Sequence, residues 1–418
     1  MSAMKPVEKI APQPWMTAPE TLAVLRALTK EGAEARFVGG CVRDAVLGRG
    51  VKDIDIATPL VPEEATRLLE AGGLKVVPTG IKHGTVTAVS AHRPYEITTL
   101  RRDVETYGRH AKVEFTDDWQ ADAARRDFTM NALSCRPGGE VYDYFGGLKD
   151  ARQGRVRFVG DADARIREDV LRLLRFYRFL AHYGRGQPDA AARAACRTMA
   201  DQLPTLSAER LRDETLKLLT APSPHDTLVL MHNDRVLAAY LPEATDIARL
   251  SRLVAIERRW DERVRAGDAI RRLAILLRDP ETAGPVAERL RFSNKDRERL
   301  VGLRAPVPFA PPLDERSIRR ECYRLGPALL IDRALLYWAV EGNPDNAALE
   351  RMLDAAEAWE PVSLPVRGDD VLALGVPAGE AVGSLLRLVE DWWIERDFKP
   401  SREEALIRLK QVVGPRAA

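Results

Sequence analysis

The chain is short of the residues that usually build metal knuckles and disulfide frameworks. It has four cysteines and six histidines in 418 residues. Cys41, Cys135, Cys196 and Cys322 are scattered with no Cys-x-x-Cys, which leaves neither a zinc knuckle nor a disulfide scaffold and fits a reducing compartment. His225-Asp226 has the look of a metal-dependent phosphohydrolase signature, but the further histidines that fold needs are not at suitable spacing. Excess charge is also lacking: Lys+Arg 64 against Asp+Glu 62 gives a net charge of +2 and a pI near 8.3. Any nucleic-acid face must therefore come from local segregation of charge. No apolar run approaches the ~18 residues of a membrane span, and residues 1–6 show no signal-peptide core. A soluble cytoplasmic protein is expected, with no membrane association. No internal repeat or low-complexity tract is present.

What the chain does have is a 45% hydrophobic composition, enough for several cores and two to four domains. It is organised around residues 36–58. Phe37 and Val38 read as a strand running into Gly39-Gly40, and Val42, Ala45, Val46 and Leu47 read as a short helix that Gly48 stops. Two glycines at the start of a helix let backbone N–H groups approach an anion, with Arg43 beside them. The following segment, Asp53-Ile54-Asp55-Ile56, alternates acid and aliphatic. As a strand it puts Asp53 and Asp55 on one face, about 6–7 Å apart. That spacing suits two divalent ions held about 3.5–4 Å apart for an in-line phosphoryl displacement.

A glycine turn or an acidic strand end alone is usually only a turn or a solvated end. The joined pattern G-G-x-V-R-D…D-I-D resembles the head of the nucleotidyltransferase β superfamily and, more narrowly, the class II tRNA nucleotidyltransferase and bacterial poly(A) polymerase family. Further segments carry the likeness. Residues 125–131, R-R-D-F-T-M-N, match the family's R-R-D-F-T-x-N; residues 143–150 match D-x-x-x-G-x-x-D, to which a structural role is given; residues 168–172, E-D-V-L-R, match E-D-x-x-R. The resemblance implies that Asp53 and Asp55 are catalytic and hold two Mg²⁺ ions. It implies too that Gly39, Gly40, Arg43, Arg126 and Asn131 bind nucleotide, and that Asp127 faces the ribose, where a carboxylate accepts from a 2′-OH. Glu96 is either a third metal carboxylate or a solvated strand residue.

The resemblance makes Asp169 and Arg172 an amino-acid template for the base. A carboxylate accepts from the exocyclic amine of cytosine or adenine, and a guanidinium donates to the neighbouring ring nitrogen or carbonyl. Uracil and guanine would oppose a carbonyl oxygen to Asp169 and are rejected. The stretch 165–180 reads as one continuous, largely buried helix, on which Asp169 and Arg172 are i,i+3 neighbours. Arg175 and Arg178 also fall on family positions, but each step of three residues turns the side chain by roughly 60°. They are expected to hold Asp169 or the triphosphate from further along the helix.

Residues 100–115 are polar and charged and read as a loop; in the family such a loop lies beside the active site and takes part in changing nucleotide specificity, which singles out Arg102, Asp103 and Arg109. Around these segments the pattern gives a helix over 62–71 and strands near 75–77, 84–89 and 95–100. From about 188 onward the chain is helical almost throughout.

The expected fold is α+β: a small nucleotidyltransferase head with a mixed sheet, followed by an all-helical neck, body and tail. The expected divisions are an irregular lead-in over 1–19, a head over 20–158, a neck over 159–245, a tRNA-binding body over 246–360 and a tail over 361–418. The expected activity is template-independent addition of C, C and A to the tRNA 3′ end from CTP and ATP. The partners are then the tRNA acceptor arm, CTP and ATP, with no protein partner. The rivals are a poly(A) polymerase, a CC-only or A-only enzyme, and an inactive RNA-binding protein.

Overall fold

The computed structural model describes residues 4–81, 84–107, 110–306, 313–342 and 345–414. It divides into two compact units, Met1–Ala244 with Arg289–Arg291, and Thr245–Glu288 with Phe292–Ala418.

The first unit begins with a mixed sheet. Its strands are β1 (Glu8–Lys9), β2 (Arg36–Val38), β3 (Asp55–Thr58), β4 (Lys75–Gly80), β5 (Thr85–Ser90) and β6 (Arg93–Thr99); β7 (Arg101–Tyr107) and β8 (His110–Phe115) form a separate hairpin, and β9 (Ser134–Cys135) and β10 (Glu140–Tyr142) complete the sheet. The order is β1-β10-β9-β2-β3-β6-β5-β4, and among the described strands only β3 and β6 run parallel. Alternation decides the faces: Val86 and Ala88 of β5 and Tyr95 and Ile97 of β6 are buried with Phe37, Ile54 and Ile56 in one core. The helices Pro19–Thr29 and Pro62–Ala71 contribute Val24, Leu25, Leu28, Ala65 and Leu69 to it.

The lead-in is more regular than its prolines suggest. Its backbone pairs with β10 and the residue before it through Val7 N–H to Val141 O and Ile10 N–H to Gly139 O, and Trp15 packs edge-on against Phe37 at 4.7 Å. The expected loop at 100–115 is the β7–β8 hairpin instead. The two arms satisfy each other's backbone groups, so this segment needs no apolar core of its own. Arg102 pairs with Glu114 across it; the side chain of Asp103, and Arg109, lie outside the described residues.

The remainder is helical. In the first unit the helices include Ala162–Glu168, Leu171–Tyr183, Ala190–Thr198, Ala208–Leu219 and Pro224–Asn233. The expected continuous helix over 165–180 is therefore two helices. Asp169 breaks it: its backbone is extended (φ −153°, ψ 107°) and its side chain accepts from Leu171 N–H, the local turn that aspartate favours over helix interior. The named elements of the second unit are helices, from Ile247–Arg259 to Arg402–Val413. The unit carries a buried charge network in which Glu257 accepts from Arg271 and Arg272, and Asp332 from Arg271 and Arg299. No helix among the described residues is long and apolar enough to cross a membrane.

Candidate active site

The site grows from the register of β3 and β6. Asp55 is paired with Glu96 and Ile56 with Ile97, so when the isoleucines enter the core the two carboxylates stand side by side on the opposite face, with strands about 4.8 Å apart. Strand β3 starts at Asp55, two residues later than the sequence suggests. The ladder still reaches back through Glu96 N–H to Ile54 O, and Asp53 stands exposed just before it.

Burial, reinforced by the neighbouring Glu96 and Asp53, pushes the Asp55 carboxyl up to about 6 against the opposing pull of Arg126. A concentration of carboxylate with too little positive charge around it is a donor set that fits a divalent cation. Among the described residues no three acidic, histidine or cysteine side chains close into a cage by themselves. Magnesium ordinarily takes one or two carboxylates and leaves its other positions to water and phosphate oxygens. The residues present fit it.

Beside these acids the chain turns at Gly39, whose φ of +72° belongs to glycine, into the helix Gly40–Val46. A Cβ built on Gly39 would lie 3.0 Å from Nη1 of Arg126, so the missing side chain is what lets that guanidinium approach. Gly40 carries no such requirement: the nearest atom to its Cβ position is Arg43 Nη2 at 3.6 Å. Arg126 also donates to Asp122 (3.2 Å) and is the cation that acts on Asp55. It stands between the glycine turn and the acids, with part of its surface open.

Arg43 is different. It is buried, with Nε and Nη2 on Asp44 (3.0 and 2.8 Å), Nη1 on Asn131 Oδ1 (2.6 Å), and Tyr183 stacked at 4.2 Å. Three of its five N–H groups are taken by protein and its side chain is buried, so in this structure it braces the glycine turn from behind.

Asp127 also departs from expectation. Oδ1 accepts from Phe128 N–H (2.8 Å) and Asn131 Nδ2 (2.9 Å), while Oδ2 accepts from Nε (2.8 Å) and Nη2 of Arg175. Burial works to raise this carboxyl, but Arg175, Asn131 and the amide outweigh it and hold it below the usual carboxylate range. With four donors on its two oxygens it has no acceptor site left for a ribose hydroxyl. Arg175 thus holds Asp127, not Asp169, and Arg178 holds Glu214 at 2.6 Å. Asn131 serves as the relay between Arg43 and Asp127. The next segment locks on in the same way: Thr129 donates to Asp150 (2.7 Å), and a Cβ on Gly147 would fall 1.9 Å from Thr129 O.

Asp169 and Arg172 do come together at the helix break, where Arg172 N–H bonds Asp169 O at 2.9 Å. Their side chains do not pair with each other. Asp169 Oδ2 accepts from Arg210 (2.7 Å), whereas Arg172 turns to Glu168 and to the carbonyls of Arg165 (3.2 Å) and Arg125 (3.3 Å). Arg165 grips the same Glu168 and the carbonyl of Ala124. Glu168, Arg165, Arg210 and Glu214 are the residues that sequence reasoning passed over. Glu168 lies inside the E-D-V-L-R segment and Arg210 in the first turn of the helix Ala208–Leu219, but neither sequence position says which partner it meets.

A mixed-sheet head with carboxylates paired across two neighbouring strands, a glycine turn backed by an arginine, and helices behind it defines a nucleotidyltransferase. Comparison with known proteins agrees. Residues 35–157 match the family model of the poly(A) polymerase head domain, and residues 187–247 match one described as "Probable RNA and SrmB- binding site of polymerase A". The chain is 33% identical over 399 residues to the mitochondrial CCA tRNA nucleotidyltransferase 1 of Danio rerio, covering 91% of this chain and 88% of that protein. It is 33% identical over 379 residues to the CCA-adding enzyme of Geobacillus kaustophilus, covering 88% and 90%. Its structure resembles that of the Bacillus stearothermophilus CCA-adding enzyme in complex with CTP, with a TM-score of 0.78 at 27% identity over 94% of this chain and 97% of that one. The chain belongs to the CCA-adding tRNA nucleotidyltransferase family.

Proposed function

We propose that the protein adds C, C and A in turn to the 3′ end of tRNA from CTP and ATP, without a nucleic-acid template and with release of pyrophosphate. The observation that carries this reading is the co-location, in one compact unit, of an acidic strand end, a guanidinium at a glycine turn, and Asp169 and Arg172 side by side at a helix break without bonding each other's side chains. They occur in a chain that matches CCA-adding relatives over nearly its full length.

In this mechanism Asp53 and Asp55, with Glu96 beside them, are the residues that would hold two Mg²⁺ ions, whose chemistry is to neutralise the triphosphate and make the terminal 3′-OH more acidic. Arg126 and the open backbone at Gly39 and Gly40 receive phosphate oxygens. Arg43, Asn131, Asp127 and Arg175 form the frame that keeps Arg126 and the Leu171–Tyr183 helix in place. Asp169 accepts from the amine of C or A, and Arg172 donates to the adjacent acceptor. Nε–H and one Nη2 proton of Arg172 remain for that purpose, since the protein bonds it makes run from Nη1 and the other Nη2 proton. The helical second unit takes the acceptor arm of tRNA by backbone and shape, because an enzyme serving every tRNA cannot read sequence. Four buried, unpaired cysteines support action in a reducing compartment, the cytoplasm in our reading.

Extension of a tRNA transcript lacking CCA, resolved to single nucleotides, tests the reading. Three additions with CTP plus ATP and Mg²⁺, and two with CTP alone, are expected. A long ladder from ATP on any RNA would identify a poly(A) polymerase instead, and two additions with both nucleotides a CC-only enzyme. Addition of a single A, and only to a transcript already ending in CC, would identify an A-only one.

A further inference from the structure

Asp169 sits outside helical geometry, on a two-residue break where nothing in the helix ladder fixes its side chain. A carboxylate that is to choose between an amine and a carbonyl must present the same oxygen plane every time. On this chain that orientation comes from two donors: Leu171 N–H reaches Oδ1 at 3.1 Å, and Nη2 of Arg210 reaches Oδ2 at 2.7 Å. The second is charge-assisted and arrives from a separate helix, Ala208–Leu219. Both partners of the pair are roughly one-fifth exposed, at 21% and 23%, so the carboxylate stays reachable by a base while its plane is held.

Arg210 does not touch the other half of the couple. Arg172 is oriented by Glu168 and two carbonyls, a separate set of contacts. The helix that carries Arg210 is itself fixed: Glu214, one turn further on, accepts from Arg178, so Arg210 is presented from a braced element.

We propose that Arg210 is a positioning residue for base selection: by clamping Oδ2 of Asp169 it keeps that side chain an acceptor of fixed direction. The proposal rests on the base-reading role of Asp169 given above. Loss of the clamp leaves the Leu171 N–H on Oδ1 as the remaining hold, about which the carboxylate plane can turn, so that a base with a carbonyl at the amine position is opposed less strictly. Rejection of UTP and GTP weakens, and recognition of CTP and ATP weakens with it.

The test is kcat/KM for CTP, ATP, UTP and GTP on tRNA transcripts ending before and within the CCA, for the wild type, Arg210→Ala, Arg210→Lys, Asp169→Ala and the double variant Asp169→Ala/Arg210→Ala. With Arg210→Ala, the preference for CTP over UTP is expected to fall about 10-fold, the worth of one charge-assisted hydrogen bond. Arg210→Lys is expected to restore part of it, and the double variant to be no less selective than Asp169→Ala alone. Arg210→Lys keeps the charge and the helix, so the outcome can be read even if Arg210→Ala folds poorly. An equal loss for all four nucleotides in both Arg210 variants, or losses that add in the double variant, would make Arg210 a structural residue only and overturn the proposal. Unchanged selectivity in Asp169→Ala would show that the base-reading role itself is wrong and would remove the proposal's foundation. Selectivity lost in Asp169→Ala but intact in both Arg210 variants would overturn the clamp and leave the base reader standing.

Discussion

Asp55 and Asp127 lie in the same unit, both largely withdrawn from water, and their surroundings treat them in opposite ways. Asp127 receives four donors and is held in its charged form. Asp55 faces Glu96 across the strand pair, with Asp53 behind it, and Arg126 only partly offsets them. Folding has supplied everything the first carboxylate needs and has left the second short of positive charge. A buried acid whose charge is answered within the chain acts as structure; one whose charge is left open is fitted for a cation that arrives with the substrate. The family resemblance assigned both acids to substrate, and the hydrogen bonds separate them.

The largest effect expected from this contrast is at Asp55. Asp55→Asn should reduce nucleotide incorporation by about 10³-fold or more, as loss of a catalytic group does. The same change should stabilise the protein when no metal is added. The native carboxyl keeps its proton up to about 6, whereas the unfolded one releases it near 3.8. Between those values the native state binds more protons, so stability falls as pH rises through the window, and the full penalty is in force above it. Urea melts at pH 7.5 without Mg²⁺ should show the variant more stable by the order of 2 kcal/mol, with the difference vanishing towards pH 3.5. Mg²⁺ with CTP should raise the wild-type Tm more than that of the variant. A variant both active and less stable would undo the contrast from the Asp55 side.

Asp127→Asn should do the reverse. Removing one charge from a buried pair leaves Arg175 with only the longer contact to Glu214 at 4.0 Å and costs about 3 kcal/mol. The folded pKa of Asp127 is depressed, so its contribution is present above the ordinary aspartate value and is lost as pH falls through the lower, folded one. Stability measured by urea unfolding at pH 7.5 should drop sharply, and the gap to wild type should narrow on acidification. The fraction that remains folded should keep metal-dependent transfer. If instead the variant melted like wild type but accepted deoxynucleotides, Asp127 would be a ribose reader after all.

Alternation of acid and aliphatic over 53–56 was enough to put the acids on one face, because a strand with one buried face has no other register. The strands and the helix over 62–71 were legible for the same reason. The partners of arginines were not legible. Arg43, Arg125, Arg126, Arg172, Arg175 and Arg178 are alike in sequence, yet Arg43 is enclosed by Asp44, Asn131 and Tyr183 while Arg126 faces the acids. Which partner each one finds depends on chain segments up to 88 residues away, and periodicity carries no record of that. The break at Asp169 was hidden for a related reason: apolar spacing runs through it, and only the local turn of its own side chain interrupts the helix.

Gly39 gives an intermediate test on the Asp55 side of the comparison. Gly39→Ala forces a Cβ into a left-handed backbone and to within 3.0 Å of the Arg126 guanidinium, where a flexible terminus can give way. The strain should cost about 1–2 kcal/mol in urea unfolding. Because the displaced group, Arg126, is the one proposed to receive phosphate, KM for CTP and ATP should rise together, by more than kcat falls.

The smallest expected effect is on the β7–β8 hairpin. Arg102 and Glu114 form an exposed pair, and such pairs are worth about 0–1 kcal/mol because solvent screens them and ordering two long side chains costs entropy. Arg102→Ala should therefore leave the urea midpoint almost unmoved. Its use is functional: if the hairpin takes part in the change from CTP to ATP, the variant should slow addition of the terminal A to a tRNA ending in CC while the two C additions keep their rate. Equal rates for all three steps would place this pair outside nucleotide selection and leave the choice of base to the Asp169 and Arg172 junction alone.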